Sequence, residues 1–230
     1  MNILQINISF LILPFVALEV FFAPEPSADS TNISSTTQIS KQSPPAESDT
    51  LQWTELISLD STIRLDLRYA TRNNFVGEQL YTCPRCFLRP AVAKALLKVH
   101  RELGEKGLGL KLYDCYRPHS IQWALWKKVP DPRYVADPRK GSMHNRGSAV
   151  DLTVVERATG KELDMGTAFD YFGVEAYIDY QKLPAEVLNN RKALRDLMVA
   201  NGFRTTRTEW WHFSYALASY PISNMLWSCP

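Results

Sequence analysis

The chain has 230 residues, of which 45% are hydrophobic and 22% are charged, and its formal net charge is +2. This composition is that of a globular protein, so it excludes a chain that is disordered, collagen-like or coiled-coil throughout. Because the charge is nearly balanced and no Lys/Arg cluster stands out, we expect no nucleic-acid partner.

The N-terminal fifty residues differ from the rest of the chain. Residues 3–23 are nearly all apolar, whereas residues 24–50 are rich in Pro, Ser, Thr and Ala. We expect residues 1–23 to be a signal peptide or a membrane anchor, although no Lys or Arg precedes the apolar run. Residues 24–50 are expected to be a disordered linker, because such a composition cannot bury enough apolar surface to fold. From this segment we expect the protein to be exported to the periplasm or cell envelope, with a membrane tether if the segment is retained. If the segment is not a functional signal, the protein would be cytoplasmic.

Residues 51–230 are long enough for a single domain with one core. The cysteines of this region are Cys83, Cys86, Cys115 and Cys229. Cys83 and Cys86 have half of a zinc-ribbon spacing, but no second pair follows, so a structural zinc site is not favoured there. An exported protein can carry disulfides, and the sequence leaves their connectivity open.

The secondary-structure pattern is mixed. Alternating apolar and polar residues predict a strand over 62–69, and a loop rich in Asn, Gly and Pro follows. Pro90 opens a helix that stops at Gly107. The remaining predicted elements are a strand over 109–118, a helix over 119–128, a long loop over 131–147, a strand over 148–155, a helix over 191–202 and a final strand or hairpin over 203–215. This order predicts an α+β domain with a mainly antiparallel central sheet flanked by helices.

Two histidines and one aspartate form a candidate metal site. Asp151 lies in the predicted strand 148–155, and a carboxylate in so apolar a strand is costly to bury unless it is paired or bound to a metal. His144 precedes that strand, and His212 has an equally apolar, aromatic setting. Two imidazoles and one carboxylate make a three-ligand zinc set that leaves a fourth position for water. From residue types alone, packed core histidines are an equally good interpretation.

Glu209 is the candidate catalytic base. It lies three residues before His212, so a regular strand would place the two side chains on opposite faces. A helical turn or a bulge is therefore needed to bring them together. A converged Glu209 can take a proton from an activated water and return it to a leaving amine.

Several motifs together resemble a known family. The segments SMHNRGSAVD (142–151) and EWWH (209–212) resemble the zinc D-Ala-D-Ala peptidases of the M15 class. Within that class, YDCYRP (113–118) and YATRNNFVG (69–77) are similar to the D-alanyl-D-alanine dipeptidase, or VanX-type, branch. The resemblance covers roughly residues 51 to 220, and motifs in this order are highly specific.

The resemblance implies a fold, one zinc ion per chain and a set of residue roles. The fold would be that of the M15 and hedgehog-like peptidases. The implied zinc ligands are His144, Asp151 and His212, with Glu209 as base and Arg117 stabilising the oxyanion. The implied substrate-binding residues are Ser142 for the carboxylate, Asp114 and Asp170 near the amino group, and Tyr69 and Tyr81 along the pocket.

The implied function is zinc-dependent hydrolysis of the D-Ala-D-Ala dipeptide to two D-alanines. Its role would be cell-wall peptide turnover and D-alanine salvage, or glycopeptide resistance; export favours salvage, because resistance acts on a cytoplasmic precursor. The alternative substrate class is that of a D,D-carboxypeptidase or peptidoglycan endopeptidase of the same superfamily. A non-enzymatic zinc module on this fold, as in the hedgehog domain, is disfavoured because Glu209 and Arg117 are both present. The sequence does not indicate which oligomeric state the protein adopts.

Overall fold

The structure, a computed structural model, describes residues 52–230. The expected signal peptide or anchor (1–23) and the expected linker (24–50) lie outside the described residues. Within the described part of the chain, no helix combines the length and the apolar character that crossing a bilayer requires.

Three helices are described, and they are α1 (Pro90–Gly104), α2 (His119–Lys128) and α3 (Ala185–Ala200). Helix α1 begins at Pro90 as predicted, because the fixed φ of proline suits the first helical position and its missing N–H is not needed there. Its buried side chains recur every three or four residues and pack against the sheet. Helix α2 has the predicted bounds. Helix α3 begins six residues earlier than predicted, directly after Pro184.

The strands are β1 (Thr54–Glu55), β2 (Arg64–Leu65), β3 (Phe87–Leu88), β4 (Leu108–Asp114), β5 (Ala149–Glu156), β6 (Phe203–Thr205) and β7 (His212–Tyr215). β1 and β3 form a small antiparallel pair, and the other five strands form one sheet in the order β2-β4-β5-β7-β6. In that sheet β2 runs parallel to β4, and the remaining pairs are antiparallel. The predicted α+β class with a mainly antiparallel sheet is therefore confirmed.

The predicted strand over 62–69 is mostly wrong. Only Arg64–Leu65 pairs as a strand, and a 3-10 turn follows at Arg68–Ala70. The alternation arises because Ile63, Leu67 and Tyr69 are buried in the core. Burial on one side of an irregular segment gives the same sequence pattern as a half-buried strand.

The register of the sheet aligns ionisable side chains from three neighbouring strands. A register shift between Leu112 and Asp114 sets Asp114 opposite Asp151, and Asp151 lies opposite His212 on the next strand. Residues that are directly opposite on neighbouring strands point to the same face. Three ionisable side chains from β4, β5 and β7 therefore meet at one place on the sheet.

The cysteines form two disulfides, Cys83–Cys229 and Cys86–Cys115. The neighbouring pair Cys83 and Cys86 is thus split between two bonds. One bond fastens the C-terminal segment, and the other joins β3 to the end of β4. Cys86 and Cys115 are both buried.

Removing the buried disulfide should destabilise the domain. We expect the double variant Cys86→Ala/Cys115→Ala to lower the free energy of unfolding by about 2–4 kcal/mol, because the unfolded chain regains the freedom that the cross-link removes. Urea unfolding of the oxidised wild type and the double variant measures the difference. Equal midpoints with equal slopes would contradict the expectation.

Candidate active site

The candidate metal ligands come from the sheet and from the turn that enters it. Asp151 and His212 are cross-strand neighbours on β5 and β7. His144 lies in a 3-10 turn, His144–Arg146, that Gly147 ends with φ 68°. A side chain at Gly147 would meet the ring of Trp53 at 2.3 Å, so glycine is required there both for the backbone angle and for space.

The three ligand groups converge as predicted. His144 Nε2 lies 3.2 Å from His212 Nδ1 and 3.4 Å from Asp151 Oδ2. His212 Nδ1 lies 2.9 Å from Asp151 Oδ1. Among the residues that the structure describes, these three form the one group with metal-ligand geometry.

Hydrogen bonds outside the triad orient both imidazoles. The Nδ1–H of His144 donates to the carbonyl oxygen of Cys115 at 2.7 Å, which leaves Nε2 free to bind a metal. His212 Nε2 lies 3.0 Å from Ser214 Oγ, which leaves Nδ1 facing the centre of the triad. The two free ring nitrogens therefore point at each other and at a carboxylate.

This donor set fits a zinc ion. Ligand atoms of a tetrahedral zinc site, with bonds of about 2.0–2.2 Å, lie roughly 3.3–3.6 Å apart. The two ring nitrogens are 3.2 Å apart, and they lie 2.9 and 3.4 Å from the two different oxygens of Asp151, which is near this range. Two nitrogen donors and one oxygen donor also suit zinc and leave one coordination position open. His144, Asp151 and His212 would hold the ion.

Glu209 reaches the same centre through a turn. Trp210 and Trp211 form a turn immediately before β7, so Glu209 does not continue the strand. Its Oε2 lies 3.9 Å from His212 Nδ1, and its side chain is 28% exposed. Burial raises the pKa of the Glu209 carboxyl above its ordinary value. The turn that the sequence required for this convergence is therefore present.

Arg117 is buried beside the triad and held in a fixed position. Its Nε and Nη2 donate to Asp114 Oδ2 at 3.0 and 2.6 Å, and its Nη1 donates to Gln122 Oε1 at 2.9 Å. Burial disfavours the charge of the guanidinium, but Asp114 and the other acidic groups around the site together outweigh that effect and raise the pKa of Arg117. The site thus contains a permanent, oriented cation.

The structure places Asp114 and Tyr81 away from the positions that the resemblance implies for substrate contacts. Asp114 is fully buried, and its Oδ1 accepts hydrogen bonds from the Tyr81 hydroxyl at 2.7 Å and from the Cys115 N–H at 2.9 Å. Its Oδ2 is occupied by Arg117. Neither Asp114 nor Tyr81 lines the cleft. Both lie behind Arg117, where they position the guanidinium.

The other predicted residues line a cleft of about 360 Å³ in front of the triad. Tyr69, Ser142 and Asp170 all form part of its wall. The Tyr69 hydroxyl donates to Asp170 Oδ2 at 3.2 Å, and Ser142 Oγ accepts from the His144 N–H at 3.2 Å. Burial, followed by the charge of Asp151, raises the pKa of Asp170 well above its ordinary value.

Sequence reasoning missed the residues that support this site. Gln122, Ser214 and the carbonyl of Cys115 orient Arg117 and the two histidines. Asn145 donates to the Arg117 carbonyl at 2.8 Å and accepts from the Ser142 N–H at 2.8 Å, so it links two walls of the cleft. The signal for Ser214 was its position two residues after His212, on the same face of a strand.

Comparisons with known proteins agree with this geometry. A family model described as "D-ala-D-ala dipeptidase" (Peptidase M15) matches residues 49–225. The D-alanyl-D-alanine dipeptidase of Escherichia coli is 37% identical over 183 residues, which cover 79% of this chain and 94% of that protein. The enzyme of the same name from Enterococcus faecalis is 33% identical over 182 residues, which cover 69% of this chain and 89% of that protein.

Among solved structures, a mutant of the vancomycin-resistance D,D-pentapeptidase VanY in complex with Zn(II) matches with a TM-score of 0.38 and 15% identity, over 56% of this chain and 73% of that chain. The match of the family model over most of the chain, and the identity to the two dipeptidases over nearly their whole lengths, show the family. This chain belongs to the D-Ala-D-Ala dipeptidase family of M15 peptidases.

Proposed function

We propose that this peptidase is a zinc-dependent D-alanyl-D-alanine dipeptidase that hydrolyses the free dipeptide to two D-alanines. The observation that carries the proposal is the convergence of His144, Asp151 and His212 beside Glu209 and a buried Arg117. The names of the similar dipeptidases support the choice of substrate.

Each residue of the site has a distinct task. His144, Asp151 and His212 would hold a zinc ion, which would supply Lewis acidity and lower the pKa of a bound water. Glu209 accepts the proton of the attacking water and returns it to the leaving amine. Arg117, fixed by Asp114, stabilises the negative charge that develops on the carbonyl oxygen.

The cleft wall offers groups for both ends of a dipeptide. Asp170 offers a carboxyl to the substrate ammonium, whose positive charge would favour the ionised form that burial disfavours, and the Tyr69 hydroxyl fixes this carboxyl. Ser142 also lies in the cleft wall, next to the His144 turn, and provides a hydroxyl for the substrate carboxylate. A free dipeptide carries both of these charges close together, which a small polar cleft can recognise.

Metal removal tests the proposal directly. The purified chain should hydrolyse D-Ala-D-Ala, lose this activity after dialysis against a chelator, and regain it when Zn²⁺ is added back. Release of D-alanine is the measurement, and L-Ala-L-Ala serves as the control substrate. Full activity after verified removal of metal would contradict the zinc assignment.

We further propose that the protein is exported and acts in cell-wall peptide turnover or D-alanine salvage. The apolar residues 1–23 support export. The two disulfides also support it, because such bonds form and persist in oxidising compartments. Fractionation of cells producing the full chain tests this proposal; recovery of all the protein in the cytosol would contradict it and favour a role in precursor removal.

A further inference from the structure

Three aromatic rings, each from a different loop, form a row of contacts beside the catalytic cleft. Phe172 contacts Phe75 with a centroid distance of 5.3 Å and Tyr134 with a centroid distance of 4.5 Å. Phe75 belongs to the loop between β2 and β3, Tyr134 to the loop between α2 and β5, and Phe172 to the loop between β5 and α3. We call the set Phe75–Phe172–Tyr134 the aromatic bridge.

The aromatic bridge separates two clefts. Phe75 and Tyr134 line the catalytic cleft, whereas Phe172 does not. Phe172 and Tyr134 instead line an outer cleft of about 320 Å³. Glu209 borders both spaces. The bridge therefore lies between the two spaces, next to the proposed catalytic base.

Two rings of the aromatic bridge are partly exposed to solvent and do not belong to the hydrophobic core. Tyr134 and Phe172 are 38% and 40% exposed. Rings with this exposure bury less apolar surface than core aromatics and therefore contribute less to folding. Their edge-to-face and tilted contacts still hold the three loops at a fixed separation.

The loop that carries Phe172 also carries Asp170. Asp170 has φ 58°, a left-handed angle that is uncommon for a residue other than glycine, and its carboxyl is fixed by Tyr69. Such strain is found where the surrounding structure holds a functional group in place. In a free dipeptide the nitrogen near this carboxylate is an ammonium; in a longer peptide the same nitrogen is a neutral amide bearing an acyl chain.

We propose that the aromatic bridge sets the length of the substrate, admitting a free D,D-dipeptide and blocking an acyl chain on its amino nitrogen. Phe172 is its specificity-determining residue, because it contacts both other rings and lies outside the wall of the catalytic cleft. This inference rests on the proposed dipeptidase function and deepens it.

Activity on two substrates tests the bridge. We would measure kcat/KM of the full chain for D-Ala-D-Ala and for a diacetylated L-Lys-D-Ala-D-Ala, and form the ratio of tripeptide to dipeptide. Phe172→Ala should raise this ratio about tenfold or more, which corresponds to a barrier of roughly 1.4 kcal/mol, because the acyl chain gains a path. Phe172→Tyr, which keeps an aromatic ring, should leave the ratio unchanged.

Tyr171→Ala is the matched control. Tyr171 is adjacent in the same loop, is similarly exposed at 44% and also lines the outer cleft, but its hydroxyl donates to Glu175 and its ring makes no described contact with Phe75 or Tyr134. Tyr171→Ala should therefore leave the ratio unchanged. An unchanged or lower ratio in a folded Phe172→Ala variant would overturn the bridge, as would equal turnover of both substrates by the wild type. Absence of dipeptide hydrolysis by the wild type would instead overturn the proposed function, so the two failures are distinguishable.

Discussion

Replacing Glu209 by Gln is expected to lower kcat for D-Ala-D-Ala by about 10²–10⁴-fold, the usual contribution of a general acid–base group. The amide has nearly the same size as the carboxyl but cannot accept the proton of the attacking water. Glu209 Oε2 lies 3.9 Å from the ring nitrogen of His212, so the change is made at the edge of the metal centre and not among its ligands. Steady-state kinetics, together with the zinc content of the purified variant, measure the effect.

The zinc content separates catalysis from metal binding. We expect Glu209→Gln to bind one zinc ion per chain, as the wild type does, because the ligand set is intact. Glu186→Gln is the matched control, since Glu186 is exposed in the first turn of α3 and does not line the catalytic cleft. A Glu209→Gln variant with wild-type kcat and full zinc content would rule out the assigned base.

Arg117→Lys is expected to lower kcat by about 10²–10³-fold, the effect typical of losing one oriented donor at a developing oxyanion. Lysine keeps the positive charge, so Asp114 stays paired and the fold is retained. It cannot, however, bind Asp114 through two nitrogens and Gln122 through a third, as Arg117 does. The kinetic constants of the variant and its melting temperature are the measurements.

A second substitution distinguishes the chemical role of Arg117 from its structural role. Arg117→Ala leaves the fully buried carboxylate of Asp114 without its cation, and removing one partner of a buried pair costs about 3–5 kcal/mol. We therefore expect Arg117→Ala to lose stability as well as activity, whereas Arg117→Lys loses mainly activity. Arg139→Lys, at an exposed pair with Asp137, is the control and should change neither. A fully active Arg117→Lys variant would contradict the role in the oxyanion site.

The candidate metal site was predictable in part, because its residues are of a type that is unusual in an apolar setting. A carboxylate in the apolar strand around Asp151 is costly to bury without a partner, and the resemblance to the M15 peptidases implied His144 and His212 as the other two ligands. The sheet register then brings Asp151 opposite His212, which no single strand reveals. Pairing between strands that are distant in sequence is set by the whole fold.

The supporting residues were harder to predict, since side-chain direction at an irregular strand end has no periodic signal. The register shift before Asp114 turns that carboxyl toward Arg117, although the motif places it among candidate substrate contacts. The start of α3 was missed for a related reason: Val187 is buried, but the polar residues around it weaken the helical period. Tertiary packing sets both the direction of the Asp114 side chain and the start of α3, and sequence periodicity does not reveal it.

Cys115 joins two kinds of chemistry in one residue. Its sulfur is bonded to that of Cys86, and its carbonyl oxygen accepts the hydrogen bond from Nδ1–H that orients the His144 ring. The orientation of His144, a candidate metal ligand, is therefore linked to the Cys86–Cys115 disulfide. In protein produced in a reducing cell compartment, thiols replace this cross-link, and we expect such protein to bind less zinc and to be less active. The thiol content of a preparation should accordingly be measured before its zinc stoichiometry is interpreted.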